Sequence, residues 1–177
     1  YIQELGVTDL TQVELWSGVL VAVQGVTMTF FSPVWGVVAD RYGRKLMVER
    51  ALFGGAVVLA AMALVQNVQQ LAFLRAMQGV LTGTVAAAMT LVACTTPREK
   101  LGYALGFLQM AIWIGSAVGQ LIGGVIAEIW GYRAVFWVTG ALMLLAGLLV
   151  WRFVHEDFYP APRDRSKPSE GAWDGLK

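Results

Sequence analysis

The sequence predicts an all-α membrane protein, and three observations lead to that prediction. Of its 177 residues, 57% are apolar and only 14% are charged, and the mean hydropathy is +0.62. Soluble domains carry roughly a quarter of charged residues, so this chain has more apolar surface than a globule of its size buries. The apolar residues gather into five long uncharged runs, and the connections between the runs alternate between basic and non-basic.

Each uncharged run is long enough to cross a bilayer as a helix. One crossing needs about 20 apolar residues, and about 18 without a charge make a candidate. Tryptophans lie near several ends of the runs, as interfacial aromatic residues do. Trimmed at their polar ends, the runs predict transmembrane helices at 17–38, 47–65, 71–93, 103–127 and 134–152.

Basic residues in the connections predict the orientation. Lysine and arginine number four, none, two and one in the successive connections, and five in the tail. Because basic loops stay in the cytoplasm, we expect segment 1–16 outside and the proline-containing, polar segment 153–177 inside as a cytoplasmic linker. The protein is thus expected to be a multi-pass protein of the cell (plasma or inner) membrane. Five helices with an outside start also fit a six-helix unit whose first helix precedes Tyr1, so we expect a fragment.

The strongest local motif lies in the first connection. Gly36 permits a close helix approach, and Gly43 permits a left-handed turn. Asp40 lies between these glycines, at a helix C-terminus. Because the macrodipole disfavours negative charge there, Asp40 needs a positive partner. Topological anchoring alone would require neither the aspartate nor the glycines. The full stretch is Gly36-Val37-Val38-Ala39-Asp40-Arg41-Tyr42-Gly43-Arg44-Lys45.

Arg75 is a second candidate, because it lies inside the third predicted helix. An ionised arginine at membrane depth costs about 2.5–3.5 kcal/mol on insertion scales, which makes it a functional candidate by default. Gln78 is three residues further on and shares its helix face. Alternatively, Arg75 extends its side chain to the outer interface, about one turn away. Position alone does not separate these interpretations.

Two further patterns concern packing and a cavity wall. Small residues recur at every fourth position of the fourth run, a spacing that lets membrane helices pack closely; plain packing is the simpler interpretation. Polar and soft side chains suit an adaptable apolar pocket, although each is equally ordinary as core. The small residues are Ala111, Gly115, Gly119, Gly123 and Ala127, with Gly124 beside them, and the candidate cavity residues are Gln24, Met28, Gln109 and Trp113.

These motifs resemble the major facilitator superfamily. The first connection matches G-x-x-x-D-R-x-G-R-[RK] at every position, and Arg75-x-x-Gln78-Gly79 is similar to a fourth-helix motif of family exporters. Gly115-x-x-x-Gly119-Gln120-x-x-Gly123-Gly124 is similar to the fifth-helix motif of drug/proton antiporters, with Gln120 in place of the family's proline. The resemblance implies a major-facilitator-type six-helix bundle with its first helix missing, so that the five helices are numbers two to six of twelve.

The resemblance also implies a function. The chain is expected to belong to a secondary active transporter that exports small amphipathic compounds or drugs by alternating access, coupled to protons. Arg75 and Gln78 would serve coupling, and the loop residues Gly36, Asp40, Arg41, Gly43, Arg44 and Lys45 would latch the two halves. The expected partners are a small-molecule substrate, protons, the lipid bilayer and the missing C-terminal six-helix half. Gln120 leaves open a uniporter or symporter for a sugar, organic acid or other metabolite.

Other function classes have little support in the sequence. No G-x-x-x-x-G-K-[ST] phosphate loop, H-E-x-x-H pair or G-x-S-x-G elbow occurs. We therefore expect no enzyme activity, no cofactor and no metal site. The net charge of +1 is no indication of nucleic-acid binding. A non-transporting membrane scaffold would need neither Arg75 at membrane depth nor the complete loop motif.

Overall fold

A computed structural model describes residues 1–81 and 83–154, without the side chains of Asp40 and Thr84. From position 155 onward, the predicted linker 153–177 lies outside the described residues. Within the described part, all regular elements are helices, and five helical stretches are long and apolar enough to cross a membrane. The prediction of an all-α membrane protein is confirmed. The α-helices are α1 (Leu10–Tyr42), α2 (Arg44–Ala63), α3 (Val68–Leu81), α4 (Thr84–Thr95), α5 (Leu101–Trp130) and α6 (Tyr132–Phe153), with 3-10 turns at Gln3–Leu5 and Arg98–Lys100.

Several helices begin earlier than the uncharged runs predict, because capping side chains lie upstream of the apolar residues. Helix α1 starts at Leu10 rather than at 17, and the carboxylate of Asp9 accepts a hydrogen bond of 3.1 Å from the backbone N–H of Thr11. Helix α3 starts at Val68 rather than at 71. The side-chain oxygen of Asn67 accepts a hydrogen bond of 2.9 Å from the backbone N–H of Gln70. Both contacts satisfy donors that a helix N-terminus leaves open.

The third predicted span is two helices, not one. The sequence predicts a continuous helix over 71–93, whereas α3 ends at Leu81 and α4 begins at Thr84. Gly83 has φ +128°, a left-handed backbone that glycine adopts without a steric penalty. An uncharged apolar run predicts membrane depth but carries no information on such an interruption. The run as a whole still reaches from Val68 to Thr95 and is long and apolar enough to cross a membrane once.

Helices α2 and α6 form one tightly packed pair. On α6, a Cβ at Gly140 would lie 3.3 Å from the carbonyl oxygen of Ala56, and one at Gly147 would lie 3.0 Å from the ring of Phe53. Both residues of α6 are buried. Small residues let membrane helices approach closely enough for dispersion contacts to hold them. Helix α2, whose Met62 is fully buried, is consequently the centre of the described bundle.

Helices α1 and α3 form the second pair, and they cross at Gly79. A Cβ at this position would collide with the Thr27 hydroxyl and with the backbone carbonyl of Gln24. The Thr27 hydroxyl is turned onto its own helix, where it donates to the carbonyls of Val23 (2.9 Å) and Gln24 (3.0 Å). The Thr27 hydroxyl, which faces Gly79, therefore needs no hydrogen-bond partner from α3.

The opening segment packs on the end of the bundle where α2 ends and α3 begins. The Tyr1 hydroxyl donates to the carbonyl of Met62 at 2.8 Å, and its ring lies 5.1 Å from that of Phe136. Leu5 joins a core cluster that includes Leu20 and Leu71. This segment thus closes one side of a cavity described below.

Gly79→Ala is expected to destabilise the fold by about 1–3 kcal/mol, the usual range for overpacking, because the added methyl meets the Thr27 side chain and the Gln24 carbonyl of α1. The unfolding temperature of the purified full-length protein measures the effect. Gly102→Ala is the matched control, since a Cβ at Gly102 meets nothing within 4 Å. Equal loss in both variants would contradict the close crossing.

Candidate functional site

Arg75 is held in a polar cluster that joins α3 to α1. Its Nη1 donates to the side-chain oxygen of Gln24 at 3.2 Å and to that of Gln78 at 3.0 Å. Gln78 is three residues further along α3 and shares its face, whereas Gln24 comes from α1 at the level of the Gly79 crossing. We call Gln24, Arg75 and Gln78 the Arg75 cluster. The structure thus brings a predicted cavity residue, Gln24, and a predicted coupling residue, Gln78, into contact with the same guanidinium nitrogen of Arg75.

The charge in the Arg75 cluster is solvated by amides alone. Arg75 forms no ion pair with any described residue, and its buried Nε has no hydrogen-bond partner among them. Amide oxygens satisfy donors but do not neutralise charge, so a positive field remains at this point of the bundle. Such a field stabilises a negative charge that approaches Arg75 and repels a cation.

A cavity of about 500 Å³ lies beside Arg75. Its wall includes Tyr1 from the opening segment, Ser17 and Leu20 from α1, Arg75 itself, and Phe136 from α6. The side chains are mostly apolar, with the guanidinium as the charged group. This mixture of apolar wall and few polar groups is typical of small-molecule sites.

A second cavity, of about 210 Å³, lies nearer the opposite end of the bundle. We call that end the basic end, because it carries Arg41, Arg44, Lys45, Arg98 and Lys100. The cavity is enclosed by α1, α2 and α4, and we call it the basic-end cavity. Met28, predicted as a substrate residue, lines it together with Gly36 of the loop motif and Arg44.

The loop motif makes a single-residue turn, as does Gly131 between α5 and α6. Gly43 is the only residue between α1 and α2, and its φ of +99° is a backbone conformation that glycine adopts without a steric penalty. Lys45 donates 3.1 Å to the carbonyl of Trp151 at the end of α6 and lies 3.4 Å from the Glu49 carboxylate. A Cβ at Gly36 would meet nothing within 4 Å, so no described helix makes the close approach expected there.

Comparison with known proteins decides the family. Residues 1–175 match the sequence profile of the Major Facilitator Superfamily. The chain belongs to this superfamily. It is 37% identical over 177 residues to the Multi-drug resistance efflux pump PmrA of Streptococcus pneumoniae, which covers 100% of this chain and 44% of the relative. The same figures hold for the Multidrug resistance protein MdtG of Proteus mirabilis. MdtG of Enterobacter lignolyticus is 39% identical over 163 residues, which are 92% of this chain and 39% of the relative.

This member of the superfamily therefore spans less than half the length of those relatives. Its five apolar helical stretches agree with the superfamily assignment and with a multi-pass membrane protein. The helix-packing and cavity residues predicted on α5 are the ones least engaged by the rest of the described bundle.

The small-residue stripe of α5 makes almost no contact with other described elements. Additional Cβ atoms at Gly115, Gly119 and Gly124 would meet nothing within 4 Å, and one at Gly123 would meet only Val135, at 3.8 Å. Gln120, where the drug-antiporter motif has proline, donates 3.3 Å to Ser116 within α5. The packing role of this stripe stays a prediction.

Gln109 and Trp113 do not join the Arg75 cluster. Neither residue lines the cavity beside Arg75 or the basic-end cavity, and Trp113 is 68% exposed. The buried side-chain oxygen of Gln109 has no hydrogen-bond partner among the described residues. Their role in substrate binding stays a prediction.

Sequence reasoning missed the role of Arg50. Arg50 is the last of the four basic residues counted in the first connection, but it lies six residues inside α2, about 9 Å from the helix start. Its guanidinium carbon is 3.4 Å from the centre of the Trp35 ring. The sequence does contain an indication of this, because the predicted helix over 47–65 includes Arg50, and a charge inside a membrane helix needs a partner.

Gln24→Met is expected to lower the free energy of unfolding by about 1.5–3 kcal/mol, the usual worth of a hydrogen bond to a charged group. The thioether keeps the volume but leaves Arg75 with one amide. Gln120→Met is the control on an exposed face and should change stability by less than about 0.5 kcal/mol. A double-mutant cycle of Gln24→Met with Arg75→Met checks the contact, since additive losses would show that the two side chains do not interact.

Proposed function

We propose that the chain is part of a secondary active transporter that exports small amphipathic compounds by alternating access, driven by proton entry. The observation that carries this proposal is the Arg75 cluster, a partly buried cation held by neutral amides beside a mostly apolar cavity. The names of the similar proteins, a multi-drug resistance efflux pump and multidrug resistance proteins, support a drug substrate.

Coupling follows from electrostatics. A carboxylate about 4 Å from Arg75 would gain about 4 kcal/mol at an effective dielectric constant of about 20. Protonation of that carboxylate removes the attraction and so changes which conformation is favoured. Since Arg75 has no carboxylate partner among the described residues, we propose that the acid belongs to a part of the full-length protein beyond this chain, either a preceding helix or the second six-helix half.

The loop motif is proposed as a latch between the two halves. Its turn is permitted by Gly43 and is anchored to α6 through Lys45. The one-residue turn and this anchor hold the loop motif at the basic end. We propose that this end is cytoplasmic, that the opening segment is outside, and that the protein lies in the plasma or inner membrane, because basic loops remain inside.

A uniporter or symporter for a sugar, organic acid or other metabolite is the alternative. Gln120 favours it, because the drug-antiporter motif has proline at this position. The two functions differ in whether substrate movement is accompanied by proton movement in the opposite direction.

Arg75→Ala is expected to abolish substrate-triggered proton flux while the protein still inserts and folds. The assay uses full-length protein in proteoliposomes with an internal pH-sensitive dye, an imposed proton gradient and a panel of lipophilic cations and neutral drugs. Arg98→Ala removes an exposed charge at the basic end and should retain flux. Normal coupling in Arg75→Ala would refute its role, and solute movement without proton flux in the wild type would favour the alternative.

Asp40→Asn is expected to slow transport without altering substrate preference. We propose that the positive partner of Asp40 is a helix N-terminus in the other half. Such a contact is worth up to about 2 kcal/mol, so its loss corresponds to a rate change of up to about thirtyfold. Initial transport rates for three chemically different substrates measure both quantities. A changed order of preference at an unchanged rate would contradict the latch.

A further inference from the structure

The basic-end cavity combines an apolar wall with two arginines. Met28 and Trp35 of α1 and Met47 of α2 supply apolar surface, while Arg44 and Arg50 supply positive charge. None of the described side chains that line it is acidic. Its volume of about 210 Å³ corresponds to about seven water molecules at the density of liquid water.

Arg50 is fixed by stacking rather than by hydrogen bonds. Its guanidinium lies 3.4 Å from the centre of the Trp35 ring, and the Trp35 indole N–H donates to the carbonyl of Val80 at 2.7 Å. The ring is thus held in place between two helices. Cation–π stacking engages the face of the guanidinium, whereas all of its N–H donors point outward in its plane.

Two of the nitrogens that carry those donors have no acceptor in the described part of the chain. Nε and Nη1 of Arg50 are buried and have no hydrogen-bond partner among the described residues. The adjacent carboxylate of Glu49 lies instead 3.4 Å from Lys45. Buried guanidinium donors without partners are rare in folded proteins, and a planar cation of this kind matches the oxygens of carboxylates and phosphates.

We propose that the basic-end cavity is an anion-binding site, in which Arg50 binds the carboxylate or phosphate of a small amphipathic molecule. Met28, Trp35 and Met47 contact the apolar part of that molecule. Drug-sized ligands occupy pockets of about 300–1,000 Å³, so this cavity takes an anionic head group with a short stem. The site is separate from the cavity beside Arg75, and its occupancy does not depend on the direction or coupling of transport.

Octanoate is the probe, and octanol is its neutral counterpart of equal chain length. Isothermal titration of the full-length protein in a neutral detergent is expected to show octanoate binding at least tenfold tighter than octanol. Arg50→Gln is expected to weaken octanoate binding at least tenfold, and Arg50→Lys is expected to retain part of it. Arg98→Gln, which removes an exposed charge from the same end, should leave it unchanged.

A second variant keeps the test independent of the folding of Arg50→Gln. Ala86 lines the cavity from α4, and Ala86→Leu fills it while retaining both arginines. This variant is expected to lose octanoate binding at least tenfold. Equal affinity for octanoate and octanol, or octanoate binding that survives both Arg50→Gln and Ala86→Leu, would overturn the proposal whatever the transport assays show.

The source of the anionic group is resolved by changing the lipid. Octanoate titrations are repeated in nanodiscs of phosphatidylglycerol and of phosphatidylcholine. Weaker octanoate binding in phosphatidylglycerol alone identifies a lipid head group as the occupant of the anion site. Equal binding in both lipids, lost in Arg50→Gln, identifies a soluble amphiphile.

Discussion

The close crossing of α1 over α3 at Gly79 is the contact on which the candidate site depends. Because this residue has no side chain, the backbone of α1 at Gln24 comes near enough for its amide to reach Arg75 at 3.2 Å. Between membrane helices there is little hydrophobic driving force, so close backbone approach and interhelical hydrogen bonds carry the association. The same glycine therefore sets both the packing of the pair and the environment of the cation.

Two cations lie at depth in this bundle, and their surroundings differ. Arg75 is solvated by two amides, whereas Arg50 is stacked on an aromatic ring. Each arrangement lowers the penalty of burying a charge without neutralising it. Each also leaves guanidinium donors without a partner in the described part of the chain. The bundle thus presents localised positive charge at two heights, one beside the cavity of Arg75 and one in the basic-end cavity.

Helix α5 differs from the helices that form the tight pairs. None of its residues is buried, and a Cβ added at any glycine of its stripe would meet no described side chain more closely than 3.8 Å. A stripe of small residues every fourth position specifies a packing face but not the helix that covers it. Gln109 and Trp113 lie on this helix, so their place in a substrate cavity stays a prediction. On α1, by contrast, Gln24 contacts Arg75 and Met28 lines the basic-end cavity.

The sequence by itself determined the membrane class, the number of apolar spans, the turn at Gly43 and the candidacy of Arg75. Each depends on local properties: hydrophobic length, charge spacing and the backbone freedom of one residue. Only the tertiary structure decided that the third span is interrupted at Gly83, that Gln24 contacts Arg75, and that Arg50 stacks on Trp35. These are relations between residues distant in the chain or breaks within a uniformly apolar run. A hydrophobicity pattern does not encode them, because it records how deep a residue lies and not which neighbour it meets.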